Sequence, residues 1–190
     1  MTYATLHQRL RGPIADKLKK ELGITNMHAL PKLQKVIVNV GINRTLMEGK
    51  EMQAFIIESL EQITGQKPVL RESRKAISNF KIRKGLVVGT MVTLRGKKME
   101  EFVDRLVSYV LPRIRDFRGL PTKMDGHGNY ALGLKDQTVF PEIPSLDLVK
   151  SFGMQIQFSI KAQKEDHARA LLKAIGMPFR LSRKEAEALA

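Results

Sequence analysis

Cysteine is absent from all 190 residues. That rules out disulfides, thiolate metal sites and cysteine nucleophiles, and it suits a reducing cytosol. Long apolar runs are missing too, and none approaches the ~18 residues a spanning helix needs. The opening "MTYATLHQRLRG" lacks an apolar core leading to small residues, so no secretory signal is expected. A cytoplasmic setting without a membrane partner follows as the expectation. Catalytic signatures are scarce as well. The four histidines, His7, His28, His127 and His167, form no HExxH or other close ligand pair. No G-x-x-x-x-G-K-[ST] occurs, and the few serines lack a G-x-S-x-G setting. "DGHG" (125–128) sets His127 beside Asp125 and forms a G-x-G without a third glycine; its glycines read as turn formers. No catalytic residue, metal or cofactor is therefore expected.

Acid is the last shortage. Against 33 Lys and Arg stand only 19 Asp and Glu, a formal charge of +14. Such an excess calls for a polyanion: RNA, DNA or an anionic membrane surface. Hydrophobic residues make up 43% of the chain, enough for a core. The length suits one domain.

Periodicity supplies the elements. Leu6, Leu10, Ile14, Leu18 and Leu22 recur every four residues and predict a helix over 3–22, with Pro13 as a kink and Gly23 as the stop. "KVIVNVG" (35–41) predicts a strand with Val36, Val38 and Val40 inward and Lys35, Ile37 and Asn39 outward. An amphipathic helix follows over 48–64, using Met52, Phe55, Ile56, Leu60 and Ile63. Residues 86–96 read as a second strand, and 98–117 as a helix that Pro112 should bend or break. Residues 118–150 look irregular apart from a short strand at 129–134. "MQIQFSIK" (154–161) alternates cleanly, with Gln155, Gln157, Ser159 and Lys161 on one face. A helix over 164–175 precedes Gly176.

These elements predict an α+β fold: an antiparallel, or mixed, β-sheet with helices packed on one face, long loops, and the other face open. Residues 1–180 are read as one domain and 181–190 as a polar tail. Asn39, Thr93 and Arg95 join the glutamines on the open side. Amides, hydroxyls and cations on a bare sheet suit RNA edges, sugars and phosphates.

Charge is unevenly spread. Residues 71–98 hold nine Lys or Arg and one acid, Glu72. Residues 125–148 hold four acids, Asp125, Asp136, Glu142 and Asp147, and one base, Lys135. Two solvated loops would explain this without function; a polyanion on one side and a basic protein on another would explain it with one. Within "RESRKAISNFKIRKG" (71–85), Phe80 is expected to anchor the loop base in the core; stacking on a nucleobase is the alternative.

"LPKLQKVIVNVGIN" (30–43), "LEQITGQKPVLRESRKAISNFKIRKG" (60–85), "VTLRG" (92–96) and "GNYALGLKDQTVFPEI" (128–143) resemble the bacterial family of large-subunit ribosomal protein five. The likeness runs from about residue 3 to Arg180, and "GMPF" (176–179) resembles the family's usual end. The resemblance implies a structural protein that binds 5S rRNA in the central protuberance, beside 23S rRNA and neighbouring large-subunit proteins. It implies 5S rRNA contacts at Asn39, Gln66 and Thr93. Arg95, Arg9 and Arg11 are added to the 5S rRNA-binding set. It implies a loop touching peptidyl-site tRNA through Arg74, Lys75, Lys81 and Arg83, to which Phe80 and Lys84 are joined. The acidic segment, with Asp136, Glu142 and Asp147, matches a bridge to a small-subunit head protein. His127 stands where the family often has a base, and the tail has no counterpart. An RNA-processing or RNA-modifying enzyme on the same basic face is the alternative, and a peripheral membrane protein a third.

Overall fold

The computed structural model describes residues 5–42, 50–143 and 151–180. The predicted first helix is two: α1 (Leu6–Arg11) and α2 (Pro13–Leu22). Thr5 and Gln8 form a capping box at the start of α1. Pro13 takes the first position of α2, where its missing N–H leaves nothing unsatisfied, so the chain restarts rather than kinks. Strand β1 spans Lys32–Gly41 and α3 spans Lys50–Thr64; residues 48–49 of the predicted helix lie outside the described ones. An unpredicted strand, β2 (Val69–Glu72), leads through a hairpin to β3 (Val87–Leu94). Helix α4 (Gly96–Arg105) continues into a π turn (Leu106–Val110) and a last short turn, α5 (Leu111–Arg113). Strands β4 (Tyr130–Leu134) and β5 (Met154–Lys161) and helix α6 (Glu165–Ile175) complete the order.

The helix predicted to reach 117 ends at Arg113. Pro112 has no N–H for the carbonyl of Ser108, and Ile114 is already extended. Just upstream, the Leu111 N–H reaches back five residues to the Leu106 carbonyl, which widens the turn. The segment after it is less irregular than expected. Leu120 makes a parallel bridge to Phe179, and Gln137–Val139 form a 3-10 turn.

The five strands form one antiparallel sheet in the order β2-β3-β1-β5-β4. The fold is thus α+β, as the sequence predicts. The chain forms two compact units. One comprises residues 1–35, 95–132 and 158–190; the other comprises 36–94 and 133–157.

In the first unit, Leu6, Leu18, Phe102, Val103, Leu106, Leu171 and Leu172 are buried. Helix α2 packs on α6, and α1 on α4. Tyr130 packs edge-on against Phe179 at 5.5 Å between centroids, and its hydroxyl donates to the Pro121 carbonyl at 2.9 Å. Burial pushes the Tyr130 phenol up to about 12.

In the second unit, Val36, Val38 and Val40 are fully buried, while their alternates Ile37 and Asn39 are half-buried. Each valine contributes roughly 1.5–3 kcal/mol by burial. Helix α3 sets Ile56, Leu60 and Ile63 against β3. It stops at Gly65, whose φ of 63° needs no Cβ and whose N–H donates to the Glu61 carbonyl at 2.8 Å. That stop fixes where Gln66 begins.

Candidate nucleic-acid interface

Register decides what the bare side of the sheet carries. Asn39 pairs with Met91, and Ile37 with Thr93. Because side chains alternate, all four project from one face, opposite buried Val38 and Val92. Asn39 and Thr93 are diagonal neighbours there, ~7–8 Å apart by sheet geometry. Gln66 arrives from beyond α3, and its Nε2 donates to the Thr93 carbonyl at 3.4 Å. Of the predicted residues, Asn39 and Thr93 share one face of β1 and β3, and Gln66 is tied to the β3 backbone at Thr93. Val69 pairs with Met91 and extends the same face to the edge strand. On β5, Gln155, Gln157 and Lys161 are exposed and Ser159 is half-buried, while Met154, Ile156, Phe158 and Ile160 are buried. Met91 escapes sequence reasoning, although its place two residues before Thr93 puts it on the same face.

The predicted arginines differ from one another. Arg95 is exposed at the end of β3, and Arg11 is exposed at the end of α1. Arg9 is held by protein: Nη1 lies 3.6 Å from the Asp104 carboxylate, and Nη2 donates to the Ile175 carbonyl at 3.3 Å. Its guanidinium fastens α1 to α4 and α6, which leaves it less able than Arg11 to take a phosphate.

The basic segment is a hairpin. Ser73 N–H donates to the Leu86 carbonyl at 2.8 Å, and Ile77 and Ile82 exchange bonds of 2.9 and 3.1 Å near the tip. Arg74, Lys75, Lys81, Arg83 and Lys84 are all exposed. Phe80 does not anchor the base in the core. It lies on the 3-10 turn Ser78–Phe80 and is 70% exposed. The correction has a local cause: every residue from Arg74 to Lys81 is exposed, so the hairpin tip offers no core for the ring to enter, and Lys81 follows in a left-handed conformation (φ 52°).

In the acidic segment, Asp136 is exposed and accepts a hydrogen bond from Ser151 Oγ. Glu142 is half-buried. Asp147 and the tail lie outside the described residues. Beside them, fully buried Gln137 accepts the Phe152 N–H at 2.8 Å, which pins the loop to the start of β5. "DGHG" is an Asp-anchored turn. The Asp125 carboxylate accepts the backbone N–H groups of His127 and Asn129, both at 2.8 Å, and the Asn129 side-chain amide at 2.7 Å. Among the described residues, no group of three or more His, Cys, Asp or Glu could hold a metal ion, and no helix is long and apolar enough to cross a membrane.

An outward sheet face bearing amides and hydroxyls, with an exposed basic hairpin in the same compact unit, has the features of a surface suited to RNA. Comparison with known proteins makes this specific. Residues 26–83 match the family model "Ribosomal protein L5", and residues 87–179 match the model of that ribosomal family's C-terminus. The chain is 48% identical over 178 residues to "Large ribosomal subunit protein uL5" of Anaeromyxobacter sp. (strain Fw109-5), covering 93% of this chain and 98% of that one. It is 49% identical over 177 residues to the protein of that name from Synechocystis sp., covering 93% and 96%. The chain belongs to the ribosomal protein L5 family. It is a non-enzymatic component of the large ribosomal subunit, partnered by rRNA and other ribosomal components, and its setting is the cytoplasmic ribosome.

Proposed function

We propose that the chain binds 5S rRNA through the bare face of its sheet, in the central protuberance and beside 23S rRNA and neighbouring large-subunit proteins. What supports this reading is that Asn39 and Thr93 share one face of β1 and β3, with Gln66 bonded to the Thr93 carbonyl beside them. An amide and a hydroxyl at fixed spacing can pair with base edges and 2′-hydroxyls, while Arg95 and Arg11 supply charge for phosphates. The basic hairpin has a separate task. Arg74, Lys75, Lys81, Arg83 and Lys84 hold the backbone of peptidyl-site tRNA, and Phe80 offers a stacking surface. The acidic segment with Asp136, Glu142 and Asp147 meets a basic small-subunit head protein as an intersubunit bridge.

Binding of purified 5S rRNA to variants of the full chain tests the first assignment. Asn39→Ala and Thr93→Ala are expected to weaken binding by about tenfold each, in line with the ~1–3 kcal/mol carried by well-made polar base contacts. Arg74→Gln with Lys75→Gln should leave 5S affinity nearly intact and weaken tRNA retention in the assembled ribosome. Equal loss of 5S affinity from both sets would refute this division of labour.

A further inference from the structure

Aromatic side chains are few here, 6% of the sequence. Among the described residues only two large ones stand well exposed: Phe80 at 70% and Tyr109 at 63%. The hairpin explains the first. The second lies in the other compact unit, and the 5S rRNA and tRNA assignments make no use of it.

Tyr109 sits on the π turn Leu106–Val110, between fully buried Leu106 and nearly buried Val110. Its neighbours in sequence on the solvent side are Ser108 and Pro112, and Arg113 follows one turn later on the same face. Beyond the helix end, Arg115 and Arg118 are exposed, with Asp116 the single acid between them. Asp116 itself adopts a left-handed conformation (φ 54°), which turns the chain between the two arginines. The two non-glycine residues with positive φ among the described ones are Lys81 and Asp116, so each lies in a segment carrying an exposed ring and several cations.

A ring exposed in this way has two ordinary partners, another protein or a nucleobase. A protein anchor sits within an apolar patch that excludes water. No other large apolar residue between Gly96 and Arg118 is exposed; Leu106, Val110 and Leu111 face the core, and Ile114 and Phe117 are half-buried. By helical spacing the nearest exposed charged residue is Arg113, with Arg115 and Arg118 past the helix end, and a ring among cations is how proteins hold an unpaired nucleic-acid strand.

We infer that Tyr109, with Arg113, Arg115 and Arg118, forms a second RNA-binding surface that stacks one unpaired base of ribosomal RNA and neutralises its flanking phosphates. The base lies on the exposed phenol ring. Arg113, one helical turn away, takes the adjacent phosphate, and the arginines past the helix end take the next ones. The site is independent of Asn39, Gln66 and Thr93, and its test reads a different quantity.

Large subunits are assembled with the full chain carrying a photoreactive benzophenone side chain in place of Tyr109, then irradiated. An adduct between this chain and rRNA is the expected product. Adducts to protein alone, or none, overturn the proposal. A solution measurement guards against an uninformative assembly. Binding of a short fluorescent oligouridine is followed in the full chain carrying Phe80→Ala, so that the hairpin ring does not contribute. Tyr109→Ala should weaken binding about tenfold and Tyr109→Phe by less than about twofold, because stacking needs the ring and not the hydroxyl. Arg113→Gln with Arg115→Gln should lower the salt slope by roughly 1.4, at ~0.7 per phosphate of a single strand. Unchanged binding in Tyr109→Ala, or equal loss in Tyr109→Phe, would overturn the proposal. Intact 5S rRNA affinity alongside such a failure would leave the sheet-face assignment standing.

Discussion

Single residues here reveal whether they serve the fold or the partner. Phe80 touches little of its own protein, so Phe80→Ala should shift the urea midpoint by no more than about 0.5 kcal/mol of stability while weakening the hairpin's RNA contact. A loss of several kcal/mol would mean the ring is packed after all. Gly89 is the opposite case. A Cβ there would lie 2.8 Å from the Val40 carbonyl oxygen on the neighbouring strand β1. Gly89→Ala is expected to cost about 1–3 kcal/mol by overpacking, whereas Gly133→Ala, with nothing within 4 Å, should cost little of either sign. Equal urea midpoints for the two variants would contradict this. Asp125 adds a pH dependence. Hydrogen bonds, first from the Asn129 side chain and then from the backbone of His127 and Asn129, hold its carboxyl below the ordinary 3.8. The folded form therefore binds this proton less readily than the unfolded chain. Its stabilising effect is fully present above about pH 4 and fades as pH falls through the lowered value. NMR titration of the Asp125 carboxylate should find a midpoint below 3.8 in the native chain and a higher one, still lowered by the two backbone bonds, after Asn129→Ala.

At the level of elements, alternation and helical spacing are readable where one face is buried and the other is not. Strands β1 and β5 carry that contrast, and their inward and outward residues fall as the sequence predicts. Strand β2 does not. All four of its residues are exposed, so Val69 to Glu72 show no two-residue pattern and read as part of the basic loop. The pairing that makes them a strand comes from β3, far along the chain. Helix ends are obscured for a similar reason: Pro112 announces a disruption, but only packing decides that a π turn absorbs it. Of the candidate site, polar outward residues such as Asn39 and Thr93 are legible. The ring of Phe80 is not, because sequence gives hydrophobicity and not direction. The hairpin offers an element-scale prediction. Replacing Arg74, Lys75, Lys81 and Arg83 together by Gln should leave the thermal midpoint nearly unchanged, since all four are exposed, and should abolish most of the hairpin's RNA retention in filter binding. A large drop in the midpoint would instead give these charges a structural part.

For the molecule as a whole, an excess of 14 positive charges makes affinity a function of salt. If 5S rRNA binding neutralises ~6 phosphates, log affinity should fall with log salt at a slope of roughly −4 to −5. An affinity almost independent of salt would exclude phosphate neutralisation as the main term. Composition foretells the sign of this dependence, while its slope is set by how many phosphates the bound surface neutralises. What composition cannot foretell is the division of the chain into two compact units, each assembled from separated stretches.

That interleaving has a consequence for birth rather than for binding. Helix α2 packs on α6, which leaves a translating ribosome about 140 residues later, roughly 7–30 s at ordinary elongation rates. Until then α2, greasy on one side and cationic on the other, lacks its partner helix, although α1 can already meet α4. A polyanion or a chaperone met during that interval has first claim on its exposed apolar side.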